Sequence, residues 1–268
     1  MRCNPVGIVA LLAALALVPA VGCTTVSGSG RSQLNMLSAS DERSLGEQAY
    51  AEEVSGAKVI ASGPDYDRVQ RVSRRIFESA NRNHAIARTF EWEVVLIDDP
   101  KMVNAWALPG GKCAVYSGLL KVADTDDLLA VVMGHECAHA TSRHSGERIT
   151  QQLLGETLMN TAFVLADMPP AGQQAVMAGM GLGGLAFSRS HETEADEIGL
   201  IISADAGYDP RAAITLWQRM DAASPGTVEF LSTHPKESTR IARLQRMMPK
   251  AMAIYEARTA ARAPTGVN

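Results

Sequence analysis

The sequence predicts an α+β domain, mostly helical, with one small sheet beside a central helix. Three observations carry this. Apolar positions recur at helical spacing over several long segments, as in "DYDRVQRVSRRIFESAN" (65–81). The stretch around "TFEWEVVLIDDP" changes texture to alternating β-formers. The run Leu128, Leu129, Val131, Val132 and Met133 holds no charge, so its helix enters a core. At 268 residues, 46% hydrophobic and 20% charged, the chain is of globular type and long enough to bury a sizeable core. Its formal net charge of −4 supplies no basic footprint, so no nucleic acid is expected as partner.

The N-terminal segment reads as a leader. Arg2 precedes an uncharged apolar run, Val6 to Leu17, closed by Pro19. That run is short of the roughly 20 apolar residues of a spanning helix and fits an export signal over 1–22. The ending Ala20-Val21-Gly22-Cys23 resembles a bacterial lipobox, with Cys23 as the acylated residue and 23–37 as a flexible, lipid-anchored tether. Thr24 after the cysteine would direct the protein to the outer membrane. The expected address is therefore periplasmic, anchored to the outer membrane through Cys23, with a secreted, soluble periplasmic form as the alternative. In an oxidising compartment Cys113 and Cys137 either pair or stay as buried thiols.

A single domain is expected over 38–268. Its first helix opens at a cap-like serine in "SASDERSLGEQAYAEEV". The second places Val69, Val72, Ile76 and Phe77 on one stripe. A strand follows, ended by Asp-Asp-Pro, then two short strands joined by Pro109-Gly110-Gly111. Asp124 or Thr125 caps the central helix, and further helices run through 147–166. The glycine-rich segment 171–187 reads as a small-residue helix or a mobile stretch. Helices resume at "HETEADEIGLIISADAG" and after Asp209-Pro210, and Pro235 opens the last one.

The chemistry centres on "HECAH", residues 135–139. Histidines at i and i+4 share a helix face, so His135 and His139 can bind one tetrahedral Zn²⁺. Glu136 lies about 100° round the helix, beside the metal and free to take a proton from a water that zinc acidifies to a pKa of about 7. A third ligand is missing. Glycine at 142 and histidine at 145 would complete a metzincin, but both positions are serine. His144, five residues past His139, is expected to have rotated off the metal face to the surface. A second helix supplies carboxylates: Glu192, 53 residues after His139, and Asp196 stand i, i+4. One can ligate zinc while the other accepts the free N–H of a ligand histidine.

"HECAH", then "SRSHETEAD", then "FLSTHPKESTRI", with "NAWALPGG" upstream, resembles the HtpX, BepA and LoiP zinc metallopeptidases of bacteria, related to the CAAX prenyl proteases and mitochondrial OMA peptidases. The resemblance runs from about residue 40 to 250, closest to the short lipoprotein members. It implies a zincin-like (gluzincin) domain with a small mixed sheet beside the metal helix. It implies one Zn²⁺ per chain on His135, His139 and Glu192, Glu136 as general base, and Asp196 and Arg240 around the ligands. His234 becomes an active-site histidine, either occupying the open zinc position or stabilising the oxyanion. Asn104, Ala105, Trp106 and Ala107 lie along the cleft where a substrate strand can pair, although Trp106 reads equally as core. The implied activity is endoproteolysis of misfolded or misassembled envelope polypeptides. The alternative is a latent or non-proteolytic assembly factor with the same zinc.

Overall fold

The computed structural model describes residues 22–165, 169, 187–222, 229–234 and 239–261. Residues 1–21 of the expected signal and the glycine-rich run up to residue 186 lie outside them, as does Pro235. In chain order the elements are β1 (Cys23–Thr25), β2 (Ser32–Leu34), α1 (Ala39–Ser55), β3 (Val59–Ile60), α2 (Pro64–Asn83), β4 (Glu93–Ile97), β5 (Ala105–Ala107) and β6 (Lys112–Tyr116). There follow α3 (Asp126–Thr141), α4 (His144–Leu165), α5 (Arg189–Asp205), α6 (Ala212–Ala222), the single turn α7 (Phe230–Thr233) and α8 (Arg240–Ala260). Among these residues no helix is long and apolar enough to cross a membrane.

The domain is built around α3. Thr125 caps it, its side chain accepting the Leu128 N–H, and Asp126 and Asp127 favour the positive end of the helix dipole. Every residue from Leu128 to Thr141 is buried. A helix apolar all round has no solvent face to keep and becomes the core element. The stripe read on α2, Val69, Val72, Ile76 and Phe77, is buried, and α2 packs on α3 and β4.

On the other side α5 crosses α3 at two glycines. A Cβ on Gly134 would stand 2.4 Å from Ser203 Oγ, and one on Gly199 would stand 2.7 Å from the His135 nitrogen. The missing side chains let backbone meet backbone, which brings the carboxylates of α5 up to the histidines of α3.

The sheet has the order β3-β4-β6-β5. β4 and β6 run parallel in register from Glu93↔Lys112 to Ile97↔Tyr116, and the other pairs are antiparallel. The mixed sheet is as expected, and β5, an edge strand among the described residues, packs beside α3. The Pro109-Gly110-Gly111 turn uses left-handed backbone at both glycines, φ 91° and 92°.

One expectation is corrected here. Residues 23–37 are not a loose tether. β1 and β2 pair as an antiparallel hairpin, and Val26, Gln33 and Asn35 are buried. Polar anchors hold the segment: Asn35 Nδ2 donates to Glu42 Oε1 at 2.5 Å, and Met36 N–H to Thr150 Oγ1 at 2.9 Å. A Ser/Gly-rich composition hides such anchors because each is a single residue. The last helix is described from Arg240, after Thr239, the expected opening at Pro235 lying outside the described residues, and His234 ends α7. Cys113 and Cys137 are buried free thiols. Burial, with Cys113 beside it, pushes the Cys137 pKa up.

Candidate metal centre

α3 directs His135 and His139 to one face, one turn apart, and α5 directs Glu192 and Asp196 toward it. α7 brings His234 from a third direction. His135 Nε2 lies 3.1 Å from His139 Nε2 and 3.2 Å from His234 Nδ1. Glu192 Oε1 lies 3.0 Å from His234 Nδ1 and 3.3 Å from His139 Nε2, and Glu192 Oε2 lies 3.5 Å from His135 Nε2. All four residues are buried, and their ligand atoms lie within 4.8 Å of one another. Donors about 2.0–2.1 Å from a tetrahedral ion stand roughly 3.3 Å apart. The spacing and the donor set, three imidazoles and a carboxylate, therefore fit Zn²⁺.

The surroundings support the same fit. His135 Nδ1 lies 3.1 Å from Asp196 Oδ1, so its Nε2 is left for a cation. Arg240 bridges the two α5 acids, Nη2 to Glu192 Oε2 at 2.8 Å and Nε to Asp196 Oδ2 at 2.6 Å. Its guanidinium lies 3.8 Å from the centroid of the Trp217 ring. Burial works against a charge on Glu192, yet the His135, His139 and His234 contacts outweigh it and hold the carboxyl far below its usual range. Burial likewise opposes a charge on His135, but Asp196 and Glu192 push its pKa up to about 10. Burial depresses His139 well below the ordinary histidine value. Glu192 thus favours its anionic form beside cation-binding nitrogens.

Glu136 is 2% exposed, and among the described residues its Oε1 accepts no hydrogen bond. His234 Nε2 stands 3.4 Å from that oxygen. Burial pushes the Glu136 pKa up, opposed by the nearby His234 and His135 and by the Ala107 backbone. The edge strand β5, packed on α3, thus lies beside the carboxylate. Ala105 and Ala107 turn inward and are buried, whereas Trp106 turns to the opposite face. There its ring meets Tyr50 edge-on at 6.1 Å, with Nε1 3.5 Å from the Tyr116 hydroxyl. Trp106 is a packing residue on the back of the strand. Asn104 braces the strand's start, its Oδ1 accepting the Ala105 N–H.

His144 departs from expectation: it is 0% exposed, not a surface residue. α3 stops at Thr141, and Arg143 takes left-handed backbone at φ 58°, so a new helix starts at His144 and turns it back. Its Nδ1 lies 2.9 Å from His139 Nδ1 and its Nε2 2.8 Å from Glu194 Oε2. The strain at Arg143 is offset by bonds from its guanidinium to Glu42 and to the Leu37 carbonyl. No glycine or proline marks this break. Phe187 was also missed. It stacks on His139 at 4.0 Å, and its N–H donates to the Thr233 carbonyl, tying the approach to α5 to α7.

Residues 65–248 match the family described as Peptidase family M48. The chain is 37% identical over 230 residues to the mitochondrial metalloendopeptidase OMA1 of Schizosaccharomyces pombe, covering 83% of this chain and 66% of the relative. It is 39% identical over 181 residues to that of Arabidopsis thaliana, covering 66% and 36%. It is 28% identical over 230 residues to the β-barrel assembly-enhancing protease of Escherichia coli, covering 81% and 46%. The chain thus spans two thirds or less of the length of these relatives. The outer-membrane address read from the leader is corrected by this comparison, because relatives named as mitochondrial match at higher identity than the β-barrel assembly-enhancing protease. The comparison supports the family as a whole. With the matched region covering well over half of its length, the chain belongs to Peptidase family M48.

Proposed function

We propose that the protein is a zinc-dependent endopeptidase that cleaves misfolded or misassembled polypeptides, with His135, His139 and Glu192 as the zinc ligands and Glu136 as the general base. The observation that carries this is the set of ligand-atom separations, 3.0–3.5 Å, around one point, with an unbonded carboxylate oxygen beside it. Zinc, when bound, supplies Lewis-acid polarisation of the scissile carbonyl and acidifies water. Glu136 accepts the proton of the attacking water and delivers it to the leaving amide nitrogen, a task suited to a carboxylate whose pKa burial has raised. Asp196 and Arg240 fix His135 and Glu192 so that neither reorients during the reaction. The free edge of β5 offers backbone groups to an extended peptide, which favours an unfolded substrate segment over a folded surface. The name of the E. coli relative, an assembly-enhancing protease, supports misassembled clients.

A second reading, a latent enzyme or a zinc-containing assembly factor, is favoured by one observation. His234 Nδ1 completes the fourth corner of the ligand set, where an active hydrolase keeps an open position.

The test is zinc content of the protein purified without added metal, wild type beside Glu192→Ala, followed by casein cleavage. About one zinc per chain, lost in the variant, supports the ligand set. Absence of zinc from the wild type refutes it.

A further inference from the structure

The same buried cluster extends past the ligands to the N-terminal hairpin. His139 must present Nε2 to a cation, so its proton sits on Nδ1 and is donated to His144 Nδ1, 2.9 Å away. His144 then accepts there and carries its own proton on Nε2, which it donates to Glu194 Oε2 at 2.8 Å. One constraint at the metal thus dictates every tautomer outward, ending on a carboxylate that must stay ionised. Glu194 is 4% exposed, and a bare charge there would be costly. Arg31, at the end of the β1–β2 loop, meets the need: its Nε and Nη2 donate to Glu194 Oε2 at 3.0 and 2.8 Å. The same guanidinium grips Glu147 of α4 through two bonds, Nη1 to Oε1 at 2.9 Å and Nη2 to Oε2 at 2.7 Å. Glu147 in turn holds His191 Nε2 at 3.1 Å. The Ser29 hydroxyl donates to Glu194 Oε1. Two carboxylates from different helices converge on one arginine of a third element.

We propose that His144, Glu194 and Arg31 are positioning residues that hold His139 in its metal-binding tautomer and ring orientation, and that the N-terminal hairpin is thereby part of the metal site's support. This rests on the reading of His139 as a zinc ligand. A hairpin packed merely for stability needs no arginine shared between two buried acids. Arg31 supplies the planar fork that such bridging requires and that a lysine lacks. The strand segment clamps the α3–α4 corner as well, through Asn35 and the Glu42–Arg143 pair, so the turn that aims His144 back at His139 is held from the same side.

The experiment measures zinc affinity of the full chain by chelator competition in wild type, Arg31→Ala, Arg31→Lys, His144→Gln, His144→Leu and the Arg31→Ala/His144→Leu double variant. Arg71→Ala, which removes the exposed Arg71–Asp126 pair, is the control. Loss of such an outer partner weakens metal binding by about 10–100-fold. Arg31→Ala and His144→Leu are each expected in that range, with Arg31→Lys only partly restored. His144→Gln, which keeps an acceptor and a donor, should lie near wild type, and the control should be unchanged. The double variant should be no weaker than His144→Leu alone, because the arginine acts through the histidine. Wild-type affinity in a folded Arg31→Ala overturns the proposal, as do additive losses in the double variant. If His144→Leu does not fold, Arg31→Ala against Arg31→Lys and His144→Gln decides by the same criterion. A wild type that binds no zinc overturns the ligand assignment itself, and the relay with it.

Discussion

His234 stands with its two nitrogens on two different groups: Nδ1 lies 3.2 Å from His135 Nε2, and Nε2 lies 3.4 Å from Glu136 Oε1. One side chain therefore fills the fourth corner of the proposed ligand set and lies against the proposed base. It is held there by stacking on Phe230 at 4.3 Å, and α7 is docked through the Phe230 N–H on the Val103 carbonyl at 3.1 Å. Removing the imidazole should open the corner and free the carboxylate together. His234→Ala is expected to retain zinc, since three donors remain, and to cleave casein about tenfold faster than wild type, a change of roughly 1.4 kcal/mol in barrier. Metal content and initial rate on one preparation check it. A variant that keeps zinc and cleaves no faster would support the assembly-factor reading.

Glu136 is distinguished from the other acids at the site because, among the described residues, its Oε1 accepts no hydrogen bond, His234 Nε2 standing 3.4 Å away without forming one. Glu136→Gln keeps the shape and leaves the ligands untouched. Zinc content should be unchanged while the rate of peptide hydrolysis falls by about 10²–10⁴-fold, the usual contribution of a positioned base. Cleavage at the wild-type rate would remove Glu136 from the mechanism.

The parts of the site legible in the sequence were those with a spacing rule. His135 and His139 share a face because i and i+4 must, and Glu192 and Asp196 obey the same rule on α5. What joins the two helices, Gly134 against Gly199, is visible only once the crossing is known. His144 was misplaced for a definite reason: a helix continued through Ser142 and Arg143 would carry it off the metal face. The break is made by a left-handed arginine held by Glu42, a contact 101 residues away in sequence. Arg31 was hidden in the same way, since its partners Glu147 and Glu194 lie on other helices and a Ser/Gly context suggested a loose segment. Local patterns report periodicity. Buried polar bonds between distant residues leave no such trace.

Asp205 gives the fold a pH-dependent brace away from the metal. Burial raises its pKa, but Arg258, the Ser79 hydroxyl and Arg82 outweigh that and hold it below the ordinary aspartate value. Arg82 Nη2 lies 2.8 Å from Oδ2, and Arg258 meets Oδ1. A depressed folded-state pKa adds stability that is complete above the unfolded value of about 3.9 and disappears as pH falls through the folded value. Asp205→Asn should therefore lose roughly 2 kcal/mol at pH 7, the scale of a charged hydrogen bond with half-exposed partners. The gap from wild type should stay constant down to about pH 5 and close only below about pH 4. Urea unfolding at several pH values measures it. A gap that is already closed at pH 5 contradicts the assignment.

The crossing of α3 and α5 makes a final, steric prediction. A methyl group on Gly199 would stand 2.7 Å from the His135 nitrogen and 2.8 Å from the Gly134 carbonyl carbon, backbone atoms that cannot swing aside. Gly199→Ala must then spread the helices, at a cost of about 1–3 kcal/mol for an overpacked core. Because Glu192 rides on α5 and His135 on α3, the same displacement stretches the ligand set, and zinc affinity should fall together with stability. Gly155, inside α4, is the counter-case: a Cβ there meets nothing within 4 Å. Gly155→Ala should stabilise by about 0.5–1 kcal/mol through reduced freedom of the unfolded chain, with zinc affinity unchanged. Denaturation and chelator competition on both variants separate the effects. If Gly199→Ala matched Gly155→Ala in both, close contact at the crossing could not be what brings the carboxylate to the histidines.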